Sequence, residues 1–202
     1  MKRGEFLTTS RAVIIFEQMI SCRRAFCADN DFFRMTDFWE DLCDEDGRWT
    51  IKTYRSSETD DSKRKAGVIA FGDRVTLSVD KKLTENAKQG CKLSNFILAH
   101  EIGHVALGHH ARSAFTKNFQ LMAGTRGMSI SPPSLEEMEA DFAGVFLQCG
   151  IALSDPNWAS VALANRAFTD ISYVKKLQRI VQLDVFQRHL NRPRPTFPRV
   201  IL

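Results

Sequence analysis

The chain has 202 residues, 44% of them hydrophobic and 26% charged, with a net charge of +4. That is enough apolar material for one substantial core, and the length suggests one domain with at most a small appendage. No apolar run approaches the roughly 18 residues of a membrane span, and Met1-Lys2-Arg3 leads only into the short run Ala12 to Phe16, so neither a signal peptide nor a membrane segment is expected. Five scattered cysteines (Cys22, Cys27, Cys43, Cys91, Cys149) lack the paired spacings of a zinc ribbon or a disulfide framework, which points to a reducing cytoplasm.

Ala12 to Ala28 is patterned as an amphipathic helix with Val13, Phe16, Ile20 and Cys27 near one face. Asp29 to Trp49 follows as an acidic, aromatic segment of weaker helical character. Trp49 to Tyr54 alternates as a strand and Arg55 to Lys65 is a polar loop. Val68 to Phe71, the turn Gly72-Asp73 and Val75 to Val79 then form a hairpin. The next helix starts near Phe96, capped by Ser94 or Asn95, and stops at Gly108. Gly103 inside it costs about 1 kcal/mol against Ala, which a close backbone approach would explain. Arg112 to Ile130 is weakly patterned and expected to be a loop over the site. After Ser131-Pro132-Pro133-Ser134, Leu135 to Gln148 is a helix with Leu135, Met138, Phe142, Val145 and Phe146 on its apolar face. Two further helices fill Asn157 to Phe168 and Ile171 to Phe186. Beyond Asp184 there is no acid, whereas Arg188, His189, Arg192, Arg194 and Arg199 follow. This basic tail is either simply solvated or touches nucleic acid or an acidic partner, so direct nucleic-acid binding stays open.

The run Ile97 to Gly108 holds the chemistry. Its polar side chains are ordered His100, Glu101, x, x, His104, and one helical turn puts both imidazoles on the same face, where they can share one ion. Glu101 lies about 100° round the helix, close enough to act on water rather than ligate. A helix that is otherwise apolar all round is buried, and buried imidazoles and a carboxylate are costly unless something pairs them. Zn2+ would satisfy all three.

Catalytic zinc takes three protein ligands and keeps one position open. His110 stands at the third-ligand offset of the pattern HExxHxxGxxH, but Leu107 occupies the hinge that the pattern reserves for glycine. Glu137 is the favoured alternative, with Asp141 one turn further along the same face, placed to accept a hydrogen bond from a ligand imidazole. Ser134 and Glu137 also form a capping-box pattern. Glu136 and Glu139 are a third option, although Glu139 lies about 200° from Glu137 and is expected to point elsewhere. A second electrophile for the oxyanion is sought among His109, His110, Arg126 and Tyr173. The substrate is expected to add as a strand along Val75 to Val79.

Phe96-Ile97-Leu98-Ala99-His100-Glu101-Ile102-Gly103-His104, together with Glu137-Met138-Glu139-Ala140-Asp141, resembles the ImmA/IrrE family of zinc metallopeptidases over about residues 66 to 180. The resemblance implies His100, His104 and Glu137 as ligands and Glu101 as the base. It also implies a regulatory peptidase that cleaves a helix-turn-helix repressor in stress responses or mobile-element control. The alternative is a non-proteolytic zinc protein that binds a repressor or DNA. The expected fold is α+β and zincin-like: a small, mostly antiparallel sheet on the buried His-Glu-x-x-His helix, then a helical C-terminal half. The expected organisation is an N-terminal helical segment over residues 1–50, a metallopeptidase domain over 51–186 and the basic, proline-containing tail over 187–202.

Overall fold

Thr8 accepts a hydrogen bond from the Arg11 backbone N–H at 3.2 Å and so starts helix α1 (Thr9–Phe26) a turn earlier than the apolar pattern indicates. A computed structural model describes residues 7–57, 59, 65–71, 73–109 and 134–190. The expected loop over Arg112 to Ile130, Pro132-Pro133 and the tail after Leu190 lie outside those residues. Helix α2 (Met35–Glu45) forms in the acidic, aromatic segment by burying Met35, Phe38 and Trp39.

Strands β1 (Trp49–Tyr54), β2 (Ala66–Phe71) and β3 (Arg74–Asp80) make one sheet in the order β1-β3-β2. The β2–β3 pair is the expected antiparallel hairpin, with Phe71 opposite Arg74, while β1 runs parallel to β3 with Trp49 opposite Val75. The sheet is therefore mixed, with one ladder of each kind. β3 takes the centre because Val75, Leu77 and Val79 all point into the core and need cover from both sides.

Asp80 ends β3 and caps α3 (Lys81–Lys88), accepting from the backbone N–H groups of Lys82 and Leu83 at 2.7 and 3.4 Å. Only Leu83 and Ala87 of this helix are buried, so its apolar stripe is too short to announce it. Then come α4 (Lys92–Ala106), α5 (Leu135–Cys149), a 3-10 turn at Gly150–Ser154, α6 (Ser160–Arg166), α7 (Ile171–Val181) and α8 (Asp184–Leu190). The single helix expected over Ile171 to Phe186 breaks at Gln182 and Leu183. Phe186 still reaches the core, stacking edge-on against Phe16 at 5.8 Å, and Phe16 meets Phe146 of α5 at 5.1 Å. No helix among the described residues is long and apolar enough to cross a membrane, and all five cysteines are free.

Helix α4 is buried without interruption from Ser94 to His104. Neither Ser94 nor Asn95 caps it; the helix begins after Cys91, and Asn95 instead ties three elements together. Its amide accepts from the Met35 N–H at 2.7 Å and donates to the Ala87 and Cys91 carbonyls at 2.9 Å. Gly108, at φ +68°, ends the helix as expected.

The packing of α4 on α5 sets the site, and two glycines allow it. A Cβ on Gly103 would stand 2.8 Å from the Ala140 carbonyl oxygen, and one on Gly144 would stand 3.0 Å from the Ala99 carbonyl carbon. The close approach inferred for Gly103 is thus present. Gly103→Ala is expected to destabilise the metal-free protein by about 1–3 kcal/mol, because the clash is with backbone and outweighs a helix-propensity gain of about 1 kcal/mol. Chemical denaturation checks this, and a midpoint at or above wild type would contradict it.

Candidate metal centre

His100 and His104 leave α4 on the face turned to α5, where Glu137 stands in the first turn. The two Nε2 atoms are 3.0 Å apart, and Glu137 oxygens lie 3.3 Å from His100 Nε2 and 3.5 Å from His104 Nε2. Tetrahedral bonds of about 2.0–2.1 Å would put ligand atoms roughly 3.3 Å from one another, so the three donors fit a zinc ion. Among the described residues they form one potential metal-holding group, with both histidines buried and Glu137 partly exposed. Ser134 does cap α5, accepting from the Glu137 backbone N–H at 3.3 Å, while the Glu137 carboxylate faces the histidines. Half of the capping box is therefore real, and it aims Glu137 at the site.

Glu101 is 2% exposed, the Val68 backbone N–H donates to its carboxylate, and its Oε2 has no hydrogen-bond partner. Burial, helped by the Glu137 charge and opposed by His100, pushes its pKa up to about 7. A buried carboxylate oxygen left open beside three convergent donors is what a proton acceptor in such a site requires.

Behind the donors, each histidine is held at its other nitrogen. His100 Nδ1 donates to Asp141 Oδ1 at 2.8 Å, and the Tyr173 hydroxyl donates to Asp141 Oδ2. Asp141 thus stands where the sequence placed it. Tyr173, considered above as an oxyanion partner, instead steadies Asp141, and its ring stacks on Phe96 at 5.1 Å. His104 Nδ1 lies 2.8 Å from His109 Nδ1, and His109 Nε2 lies 3.0 Å from Glu139 Oε2. Arg11 grips Glu139 with two bonds of 2.7 Å and holds its carboxyl below the usual carboxylate range. Glu139 points away from the donors, as expected, and Glu136 is not among them. His110 and Arg126 lie outside the described residues. Sequence reasoning missed the connection through His109, Glu139 and Arg11; Gly108, which turns His109 back toward His104, was the one signal for it.

Desolvation opposes a charge on His100, but hydrogen bonds to Asp141 and Glu137 and the fields of Asp141 and Glu101 raise its pKa to about 10. A ligand imidazole must be neutral, so zinc held by His100 would expel that proton at neutral pH. Zinc affinity is expected to rise about tenfold per pH unit between roughly pH 7 and 8.5. Chelator competition checks this, and a flat profile would contradict it. The metal-free fold should respond in the opposite sense. A His100 pKa raised above its ordinary 6.5 stabilises the fold fully below that pH, and this is lost as pH rises through about 10. Glu101, near 7 against an ordinary 4.5, adds an ionisation penalty between those values.

The strand expected to receive substrate, Val75 to Val79, is β3, and it is paired on both sides. It has no edge to offer, because the hairpin and β1 enclose it. The edge strand beside α4 is β2, which pairs only with β3 among the described strands.

A family model described as Peptidase family M48 matches residues 68–181, more than half of the chain and all of the site on α4 and α5. No curated protein and no solved structure matches the chain.

Proposed function

The chain belongs to peptidase family M48, whose members are zinc-dependent metallopeptidases, and we propose that it is an endopeptidase with His100, His104 and Glu137 as zinc ligands and Glu101 as general base. The observation that carries this reading is the convergence of both Nε2 atoms and the Glu137 carboxylate beside the open Oε2 of Glu101. Zinc bound there would bring the pKa of water towards neutrality and polarise the scissile carbonyl.

The remaining work falls to the chain. Glu101 takes a proton from the attacking water as its oxygen bonds to the carbonyl carbon, then delivers that proton to the leaving amine as the C–N bond breaks. Asp141 and Tyr173 hold His100, fixing which nitrogen carries the proton. An extended substrate segment would pair with the outer edge of β2, which among the described strands pairs only with β3, beside the helix that carries Glu101. Glu137, with a side chain 27% exposed, lies on the side open to solvent.

The finer reading is a regulatory peptidase of the cytoplasm, where five free cysteines stay reduced, with a helix-turn-helix repressor as substrate. Its support is the resemblance of the paired helix motifs to ImmA/IrrE proteins. The test mixes the pure chain and zinc with a repressor encoded beside it and, separately, with an unrelated unfolded protein; Glu101→Gln is the control. Cleavage of the repressor by wild type alone supports the whole reading. Cleavage of the unfolded protein alone keeps the endopeptidase and removes the repressor. Equal cleavage by the variant removes the mechanism, and zinc binding without any cleavage favours the non-proteolytic alternative.

A further inference from the structure

We propose that Arg11, Glu139 and His109 form a positioning chain for His104, which makes the N-terminal helix α1 a working part of the metal site. The proposal rests on the reading of His104 Nε2 as a zinc ligand. If Nε2 ligates, the His104 proton sits on Nδ1, 2.8 Å from His109 Nδ1. Two imidazole nitrogens at that distance need one proton between them, so His109 Nδ1 accepts. The His109 proton is then on Nε2, where Glu139 Oε2 accepts it at 3.0 Å. Each placement forces the next.

An interposed imidazole can hold either tautomer, so it transmits order only if its far end is fixed. Arg11 does that fixing. Its Nε donates to Glu139 Oε1 and its Nη2 to Oε2, both at 2.7 Å, so the carboxylate presents an acceptor and never a donor to His109. His109 is fully buried and Glu139 is 4% exposed, which leaves little access for water to substitute for a missing member. The chain reaches His109 because Gly108, at φ +68°, folds the residue back over the end of α4. Arg11 lies 128 positions from Glu139 and outside residues 68–181 that match the family. The N-terminal helix therefore supplies to His104 what Asp141 and Tyr173, both within the matched region, supply to His100.

Helix α1 also touches α4 independently, through Gln18 Nε2 donating to the Ala106 carbonyl at 2.7 Å, and this separates positioning from packing. The experiment measures zinc affinity of the full chain by chelator competition and the visible spectrum of the cobalt-substituted protein. The variants are Arg11→Leu, His109→Leu, His109→Gln and Gln18→Ala. Gln at 109 keeps an acceptor for His104 and a donor for Glu139. Arg11→Leu and His109→Leu are expected to weaken zinc about 10–100-fold and to shift the cobalt spectrum, while His109→Gln and Gln18→Ala stay near wild type. Wild-type affinity and spectrum in Arg11→Leu would overturn the proposal. So would an equal loss in Gln18→Ala, which would trace the effect to helix packing. Should His109→Leu fail to fold, Arg11→Leu against Gln18→Ala still decides. A wild-type chain that takes up no zinc would overturn the ligand assignment itself, a different result from a wild type that binds zinc and variants that bind it equally well.

Discussion

Glu137→Ala is expected to empty the metal site while leaving the fold intact. Losing a ligand should exceed the roughly 10–100-fold that an outer partner costs, so zinc affinity should fall by more than about 100-fold and activity with it. The fold should survive. The Glu137 side chain is 27% exposed, alanine is the best helix former, and the Ser134 cap uses the backbone N–H of residue 137, which the substitution keeps. Metal analysis of purified protein checks the first half and thermal unfolding of the metal-free form checks the second. Zinc retained in Glu137→Ala but lost in His110→Ala would reassign the third ligand.

Glu101→Gln should separate binding from chemistry. Glu101 is not among the three donors, and glutamine has the same shape, so zinc content should match wild type. Proton transfer by a positioned side chain contributes about 10²–10⁴-fold, and the amide cannot accept the proton, so peptide hydrolysis should fall by that factor. The loss should appear in kcat rather than in KM, because the group acts as bonds change and not in holding the substrate. Metal analysis beside steady-state hydrolysis of an unfolded protein makes the measurement. A variant within threefold of wild type would remove Glu101 from the mechanism.

Much of this site was legible because its chemistry is local. Two histidines one turn apart on an apolar helix must face together, and Glu137 with Asp141 repeats that spacing on the next helix. Gly103 marks the close helix contact in the sequence itself, since a glycine in a helix needs a reason. The α+β class and the hairpin followed from alternation and from a turn at Gly72-Asp73. What stayed hidden depends on tertiary pairing. Nothing in the spacing tells that Arg11 meets Glu139, and the helix angle that turns Glu139 away from Glu137 says nothing of what lies on its other side. Strand order is equally non-local: alternation marks Val75 to Val79 as a strand but cannot place it between β1 and β2, away from any edge. The short helix α3 buries too little to show a period. The family shows the same limit, for the motifs around the donors resemble ImmA/IrrE proteins while the longer match, over residues 68–181, places the chain in peptidase family M48.

The proposed mechanism needs one zinc held by His100, His104 and Glu137 with a fourth position free of protein. Anomalous diffraction at the zinc edge, from crystals of the zinc-loaded full chain, locates that ion. A single peak is expected within about 2.0–2.2 Å of both Nε2 atoms and a Glu137 oxygen, with its fourth side facing solvent. A peak elsewhere, or a fourth protein ligand closing the site, would contradict it.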